Sequence, residues 1–260
     1  MNHLNKIIEI TEETVKKSLS SRSVGSLEDD FDKFKKRDFQ RVISTKVAKE
    51  ETAIIAEIKK ASPSRGLIRK DFDPQKIAEE YESNGAVCLS VLTDEPFFKG
   101  KLEYLEMVRN SCDLPILRKD FMIDPYQIYE TKAYGGDCVL LIVAALDKIQ
   151  LRDFSQLAKE LDLDILIEVH SEAELFDALT IDPKLLGINN RDLTTFEVDK
   201  NLSIKLAKQM PNDITVISES GIRTREDIFN CKEHGIHSFL IGESLMKENS
   251  PGKALKEILS

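Results

Sequence analysis

Lysine, glutamate, asparagine and arginine recur in this chain at one repeated place, at or just past the end of a short apolar run. Glu57 and Lys59 close the first such run and stand two residues apart, which puts them on one side of an extended strand. Lys119 follows the third run, Glu168 and His170 the fifth, and Asn189 and Arg191 the sixth. The seventh ends in Glu219-Ser220-Gly221 and the eighth in Gly242-Glu243-Ser244. Ammonium groups and carboxylates gathered at one mouth can give and take protons. Glycine turns let backbone N–H groups approach a phosphate closely. Together these residues read as an active site for a phosphorylated small molecule.

Each has a plainer alternative when seen alone. A strand-end lysine is ordinarily a solvated surface charge. Glu57 with Lys59 has the look of a structural ion pair, Glu168 of a partner for a neighbouring lysine, and His170 of a residue that orients Glu168 or lies in the loop. Either glycine turn is compatible with a plain strand-to-helix connection. The shared position favours chemistry, so the elements that create it matter. The runs cover 54–58, 87–91, 115–118, 138–143, 164–169, 185–189, 214–218 and 237–241, strand-length and mostly rich in Val, Ile and Leu. Their starts lie roughly 20 to 33 residues apart, room for one crossover helix each and too far for hairpins. Eight such units predict an α/β fold, the (β/α)8 TIM barrel, whose sites are built from the loops at the C-terminal ends of the strands. The glycine turns then fall in the seventh and eighth of these loops, where such barrels frequently bind phosphate.

At 260 residues and 41% hydrophobic, the chain suits one such barrel as a single domain over 1–260, with 1–48 forming an N-terminal helical extension. Leu4, Ile7, Ile8, Thr11, Val15 and Leu19 recur at helical spacing, and the run 20–25 breaks that helix. Ser26, ahead of the acidic Glu28-Asp29-Asp30 and of Phe31, Phe34 and Phe39, is expected to cap a second helix or two short ones. The extension is expected to cover the bottom or side of the barrel. A net charge of −9 argues against a nucleic-acid partner or adhesion to anionic lipid. The start at Met1-Asn2-His3 lacks the apolar core of a signal peptide, and the apolar run 139–146 is far short of the roughly 18 residues of a membrane span, so a cytoplasmic protein is expected. Cys88, Cys112, Cys138 and Cys231 show no CxxC spacing and are expected as small apolar fillers, without disulfide or zinc. His234 and His237 are separated by a helix-stopping Gly235 and are not expected to form a metal pair. Nucleotide and nucleophilic-serine readings lose support because GxGxxG, P-loop, HExxH and GxSxG motifs are missing.

Seven segments in order carry a closer likeness: Ile55-Ala56-Glu57-Ile58-Lys59-Lys60-Ala61-Ser62-Pro63-Ser64, Ser90-Val91-Leu92-Thr93-Asp94-Glu95, Leu117-Arg118-Lys119-Asp120-Phe121, Leu166-Ile167-Glu168-Val169, Gly187-Ile188-Asn189-Asn190-Arg191-Asp192-Leu193, Ser218-Glu219-Ser220-Gly221-Ile222 and Ile241-Gly242-Glu243-Ser244-Leu245-Met246. With them the chain resembles the indole-3-glycerol phosphate synthase family. The resemblance implies a carboxy-lyase of tryptophan biosynthesis that cyclises 1-(2-carboxyphenylamino)-1-deoxyribulose 5-phosphate with loss of carbon dioxide and water, using neither cofactor nor metal. It implies Glu57, Lys59, Lys119, Glu168, Asn189 and Ser220 as catalytic residues, Lys119 being the general acid and Glu168 the carboxylate facing the cationic ring. Ser62, Phe98, Phe121, Arg191 and Glu219 are carried over as substrate-binding, and Gly221, Gly242 and Glu243 as phosphate-binding. After Phe97-Phe98-Lys99-Gly100 the family usually has serine where this chain has Lys101, a difference that bears on the second loop. Some relatives are fused to phosphoribosylanthranilate isomerase; with its end at Ser260 this chain is expected to carry no fused isomerase domain. Phosphoribosylanthranilate isomerase itself, a lysine Schiff-base aldolase and a catalytically silent phosphate-binding barrel are the rival readings.

Overall fold

Unbroken runs of Val, Ile and Leu suit strands buried on both faces, and eight of them close into a parallel barrel in this computed structural model, which describes residues 3–192 and 195–260. Met1 and Asn2 of the chain start and Leu193 of the sixth-strand motif lie outside the described residues. The barrel strands are β1 (Ala53–Ile58), β2 (Cys88–Leu92), β3 (Ile116–Lys119), β4 (Cys138–Ile142), β5 (Asp164–Val169), β6 (Leu185–Asn189), β7 (Thr215–Glu219) and β8 (Ser238–Ile241). Each pairs in parallel with its sequence neighbours, and β8 returns to β1, which makes the expected (β/α)8 TIM barrel. The bounds of β5 and β6 are those read from the sequence, and the other strands shift by one residue. At 115 the reason is visible: a proline has no N–H for the ladder, so β3 starts at Ile116. One antiparallel pair, Ala61–Ser62 with Gly66–Leu67, lies inside the first βα-loop.

Three α-helices precede β1, α1 (His3–Ser21), α2 (Val24–Glu28) and α3 (Phe39–Val47), with a 3-10 turn at Phe31–Lys33 between the last two. Ser23, not Ser26, caps α2, its Oγ accepting the Ser26 N–H at 3.2 Å. The acidic Glu28-Asp29-Asp30 ends α2 and leads into a single 3-10 turn, Phe31–Lys33, so the stretch forms two short helices. Phe39 opens α3, which Asp38 caps through the Arg41 N–H at 3.0 Å. The remaining helices are α4 (Pro74–Ser83), α5 (Glu95–Phe98), α6 (Glu103–Arg109), α7 (Tyr126–Ala133), α8 (Lys148–Glu160), α9 (Glu172–Leu179), α10 (Leu202–Ala207), α11 (Arg225–Lys232), α12 (Glu243–Met246) and α13 (Pro251–Leu259). Their starts follow capping chemistry: Asp73 with Pro74 begins α4, and a reciprocal Asp147–Gln150 box begins α8, each cap contributing about 1 kcal/mol.

The extension works at both ends of the barrel. Fully buried Phe39 and Ile43 of α3 lie at the N-terminal mouth, where the Gln40 N–H donates to Asp164 Oδ2 at 2.8 Å and Ser44 Oγ lies 3.1 Å from Thr215 Oγ1. Just before α3, the Arg37 N–H donates to Asp137 Oδ1 at 2.7 Å, and Arg109 pairs with the same carboxylate at 2.6 Å. α1 instead reaches the opposite mouth. Leu4 and Ile7 share an apolar cluster with Phe121, against which Phe98 packs, and the His3 ring lies 4.7 Å from that of Phe196. A bottom or side cover therefore describes α3 but only part of α1. All four cysteines are buried and free, and no helix among the described residues is long and apolar enough to cross a membrane.

Candidate active site

Because residues i and i+2 of a strand share a face, the end of β1 turns Glu57 and Lys59 into the C-terminal mouth together, where they form an ion pair. β3 delivers Lys119 to the same mouth. Its ammonium donates to Glu168, from β5, and to Glu219, from β7, the latter at 2.8 Å. Asn189 ends β6 opposite Glu219 in the sheet register, gives its Nδ2–H to Glu168 Oε1 at 3.1 Å and accepts the Arg191 N–H on Oδ1 at 3.0 Å. Three strands thus hold one ammonium between two carboxylates that are each nearly sealed from water.

Burial disfavours the charge on Lys119, but Glu168, Glu219 and Glu57 outweigh it and hold the ammonium above the usual lysine range. The two carboxylates do not share that benefit equally. Burial would raise Glu168, yet Lys119 and His170 keep it well below the ordinary glutamate value. Burial pushes Glu219 up to about 8, which Lys119 opposes and the Glu168 charge reinforces. Near neutral pH the mouth therefore holds a fixed anion at Glu168, a fixed cation at Lys119 and a carboxyl that keeps its proton at Glu219.

Backbone geometry separates the two glycine turns. Ser220 and Gly221 are both left-handed, with φ of 62° and 81°, and the serine is held there by Asn190 Nδ2, which donates to its carbonyl at 3.0 Å. Gly242 is not left-handed; it is glycine for lack of room, since an added Cβ would lie 2.9 Å from Glu57 Cβ and Cδ. Glu243 opens α12, but its carboxylate turns away to Arg65 at 2.9 Å and Arg191 at 3.3 Å. What Glu243 can offer an anion is its backbone N–H.

Every residue that the resemblance implied as catalytic, substrate-binding or phosphate-binding lines one cleft of about 1060 Å³, its open mouth included, whereas His170 lies outside its lining. Phe98, on α5, and Phe121, just past β3, face each other with centroids 6.4 Å apart and rings tilted by 39°. Ser62 is buried in the small antiparallel pair of the first loop. Lys101 is exposed and lies outside this cleft's lining. His234 and His237 each turn Nδ1 to a backbone carbonyl, of Asn230 at 2.8 Å and Glu50 at 3.1 Å.

The indole-3-glycerol phosphate synthase family model matches residues 4–258 of the chain. The chain belongs to the indole-3-glycerol phosphate synthase family. It is 45% identical over 256 residues to the indole-3-glycerol phosphate synthase of Polaromonas naphthalenivorans (strain CJ2), covering 98% of this chain and 97% of that one. It is 54% identical over 224 residues to that of Legionella pneumophila (strain Paris), covering 86% of each. Among solved structures, the tryptophan synthase subunit alpha of Legionella pneumophila str. Paris superposes with a TM-score of 0.62 at 12% identity, covering 85% of this chain and 96% of that one. That likeness is one of fold.

Within this cleft, sequence reasoning passed over the apolar walls Leu92, Leu140, Ile142 and Leu240. The signal was available, since Leu140 and Ile142 are two apart and share the lumen face of β4. It also passed over Asp94, whose carboxylate accepts the Phe97 and Phe98 N–H groups at 2.8 and 3.0 Å and so sets the short helix that carries Phe98. A Thr93-Asp94-Glu95 stretch ahead of Pro96 is a readable cap.

Proposed function

We propose that this cleft closes the indole ring of 1-(2-carboxyphenylamino)-1-deoxyribulose 5-phosphate, releasing carbon dioxide and water and leaving indole-3-glycerol phosphate, a step of tryptophan biosynthesis. The observation that carries the assignment of roles is the Lys119 ammonium held between the Glu168 and Glu219 carboxylates. The ring carbon that bears the carboxylate attacks the ketone carbon, and Lys119 gives the ketone oxygen its proton. The ring becomes an iminium cation in front of Glu168, whose fixed negative charge stabilises it more than it stabilises the neutral ground state. As that cation takes up part of the Glu168 charge, the field that retains the proton on Lys119 weakens, so a strongly held proton becomes available when it is needed. Electrons of the carbon–carboxylate bond then flow into the ring as carbon dioxide departs. That step restores the benzene ring; loss of the new hydroxyl as water, with a proton from the neighbouring carbon of the five-membered ring, then completes the indole, and Lys59 beside Glu57 is suited to assist that leaving group.

Phe98 and Phe121 would flank the anthranilate ring, Asn189 and Arg191 would take substrate hydroxyl and carboxylate, and Ser62 would bound the first loop. Backbone N–H groups at Ser220, Gly221, Gly242 and Glu243 would receive the phosphate. A polyanionic substrate reaching a chain of net charge −9 needs such local cationic and dipolar groups. We assign the protein to the cytoplasm with the pathway it serves, and treat 1–48 as part of one catalytic unit with the barrel. Purified protein mixed with the substrate should develop indole-type fluorescence at a rate that saturates, and an analogue lacking phosphate should bind far more weakly. Unchanged substrate would leave the silent barrel as the better reading, and a borohydride-trapped adduct would point to the aldolase.

A further inference from the structure

We propose that His170 is a positioning residue of this reaction, a buried imidazolium clamped by Glu174 that fixes the carboxylate of Glu168 as an anion. The proposal rests on the role given to Glu168 above and adds the device that maintains it.

The local fold brings three side chains into line. His170 stands two residues after Glu168, so both turn toward the same side as β5 ends, and Nε2 comes within 3.2 Å of Glu168 Oε1. The other ring nitrogen, Nδ1, lies 3.2 Å from Glu174 Oε2, and the same oxygen accepts the His170 backbone N–H at 2.9 Å. Glu174 is itself immobilised. It sits in the first turn of α9, where a carboxylate is favoured, and its Oε1 accepts the Ser171 hydroxyl at 2.9 Å, while Ser171 Oγ caps α9 through the Glu174 N–H.

An imidazole with a carboxylate at each nitrogen has one protonation state that satisfies both. A neutral ring would turn a lone pair toward one of the two anions, whereas the cation carries a proton on each side. The side chain is only 10% exposed, so water does not replace either partner. Burial lowers the imidazole, but Glu168 and Glu174 raise it further, to about 9. The Nε2 contact with Glu168 is a charge contact more than an aligned hydrogen bond, which leaves Asn189 Nδ2 as the directional donor to Oε1.

The charges around Glu168 explain why a second cation is needed. From β3 comes Lys119, from β7 Glu219, from α9 Glu174, and from β1 the Glu57–Lys59 pair. Lys119 meets Glu168 at Oε2 and shares its ammonium with the Glu219 carboxyl, so without His170 no cation stands beside Oε1. With His170 cationic, Glu168 has an ammonium at Oε2 and an imidazolium beside Oε1, so it stays ionised when substrate displaces water from the mouth.

The test uses the full chain with 15N-labelled histidine. The four histidines are assigned by the signal missing from His170→Asn, and both His170 ring nitrogens are expected to be protonated at pH 7.5. A neutral tautomer there would overturn the proposal. His170→Asn should lower kcat at least about tenfold with KM within about twofold of wild type, the pattern of a group acting on the transition state. Glu174→Gln, which keeps the shape of the clamp without its charge, should move the alkaline limb of kcat to lower pH, because the imidazolium is lost earlier. Should His170→Asn not fold, the Glu174→Gln pH profile decides alone, and an unshifted limb rejects the clamp. A Glu168→Gln control separates the two layers. If Glu168→Gln loses activity while His170→Asn and Glu174→Gln behave as wild type, the clamp is wrong and the role of Glu168 stands; if Glu168→Gln is fully active, both fall.

Discussion

Gly187→Ala tests how tightly the barrel interior holds the Lys119 partners. Gly187 lies inside β6, paired across the sheet with Glu168 of β5 and Ile217 of β7. Its backbone is ordinary for a strand, so alanine meets no conformational penalty. The added Cβ, however, would overlap Glu219 Oε1 and lie 3.1 Å from Glu219 Cδ and 3.4 Å from Leu166 Cδ1. Carbon atoms settle about 3.5–4.0 Å apart and the overlapped oxygen is nearer still, so the carboxyl must withdraw by more than about 1 Å, and the 2.8 Å contact with Lys119 is what it gives up. Overpacking costs about 1–3 kcal/mol, and replacing a strand glycine returns about 0.5–1 kcal/mol, leaving a loss near 1–2 kcal/mol. At about 2–4 °C per kcal/mol for a chain of this size, Tm should fall by about 2–8 °C. Loss of one of the two carboxylates that position Lys119 should lower kcat about tenfold, equivalent to about 1.4 kcal/mol. The control is the same change in Glu219→Ala, which empties the space. There Gly187→Ala should cost no further Tm, a coupling that calorimetry of the four proteins would expose. Equal Tm losses in both backgrounds, or undiminished indole fluorescence turnover in Gly187→Ala, would refute the packing argument.

Gly242→Ala brings a Cβ to 2.9 Å from Glu57 Cβ and Cδ at the end of β1, and should raise KM at least about tenfold while weakening competitive inhibition by inorganic phosphate. Arg109→Met takes the guanidinium from buried Asp137 at the far mouth and leaves it the Arg37 and Ile116 N–H donors; it should cost about 3 kcal/mol in denaturant unfolding, with kcat of the folded fraction unchanged. Burial raises the Asp94 carboxyl to about 6, reinforced by Asp120, whereas its unfolded value is about 3.9. The native state therefore binds the extra proton between about pH 4 and 6, so the penalty of this group, up to about 3 kcal/mol, is present above pH 6 and disappears as pH falls to 4. Asp94→Asn, which can still cap α5, should raise Tm at pH 7.5 and lose that advantage below about pH 4; an advantage independent of pH would remove ionisation as its cause.

Strand positions were legible because parallel strands buried on both faces leave apolar runs with few interruptions, as at β5 and β6, where the sequence bounds and the observed bounds coincide. The residues that line the cleft were legible for a related reason. A strand of known end and period two fixes which side chains enter the mouth, so Glu57, Lys59, Lys119, Glu168 and Glu219 follow from strand ends alone. Contacts set by loop paths were not legible. Nothing in the spacing shows that Glu243 turns to Arg65, 178 residues away, or that α1 runs up to Phe98 and Phe121. Ser23 was hidden by its neighbours, since Ser20, Ser21, Ser23 and Ser26 are equally good caps and tertiary packing of Leu27 selects among them. The Glu174 clamp crosses from a strand end into a helix, and neither the period of two nor that of 3.6 spans that change.

Lys119→Met tests the central claim, that this ammonium gives its proton to the ketone oxygen as the ring closes. Methionine keeps most of the aliphatic volume between Glu168 and Glu219 and removes the proton. Single-turnover fluorescence with the carboxyphenylamino substrate, paired with a binding titration on the same preparation, separates chemistry from affinity. The account predicts a loss of at least about 10²-fold in the chemical step with binding weakened by no more than about tenfold. Turnover close to that of the wild type, in a folded Lys119→Met protein, would contradict it.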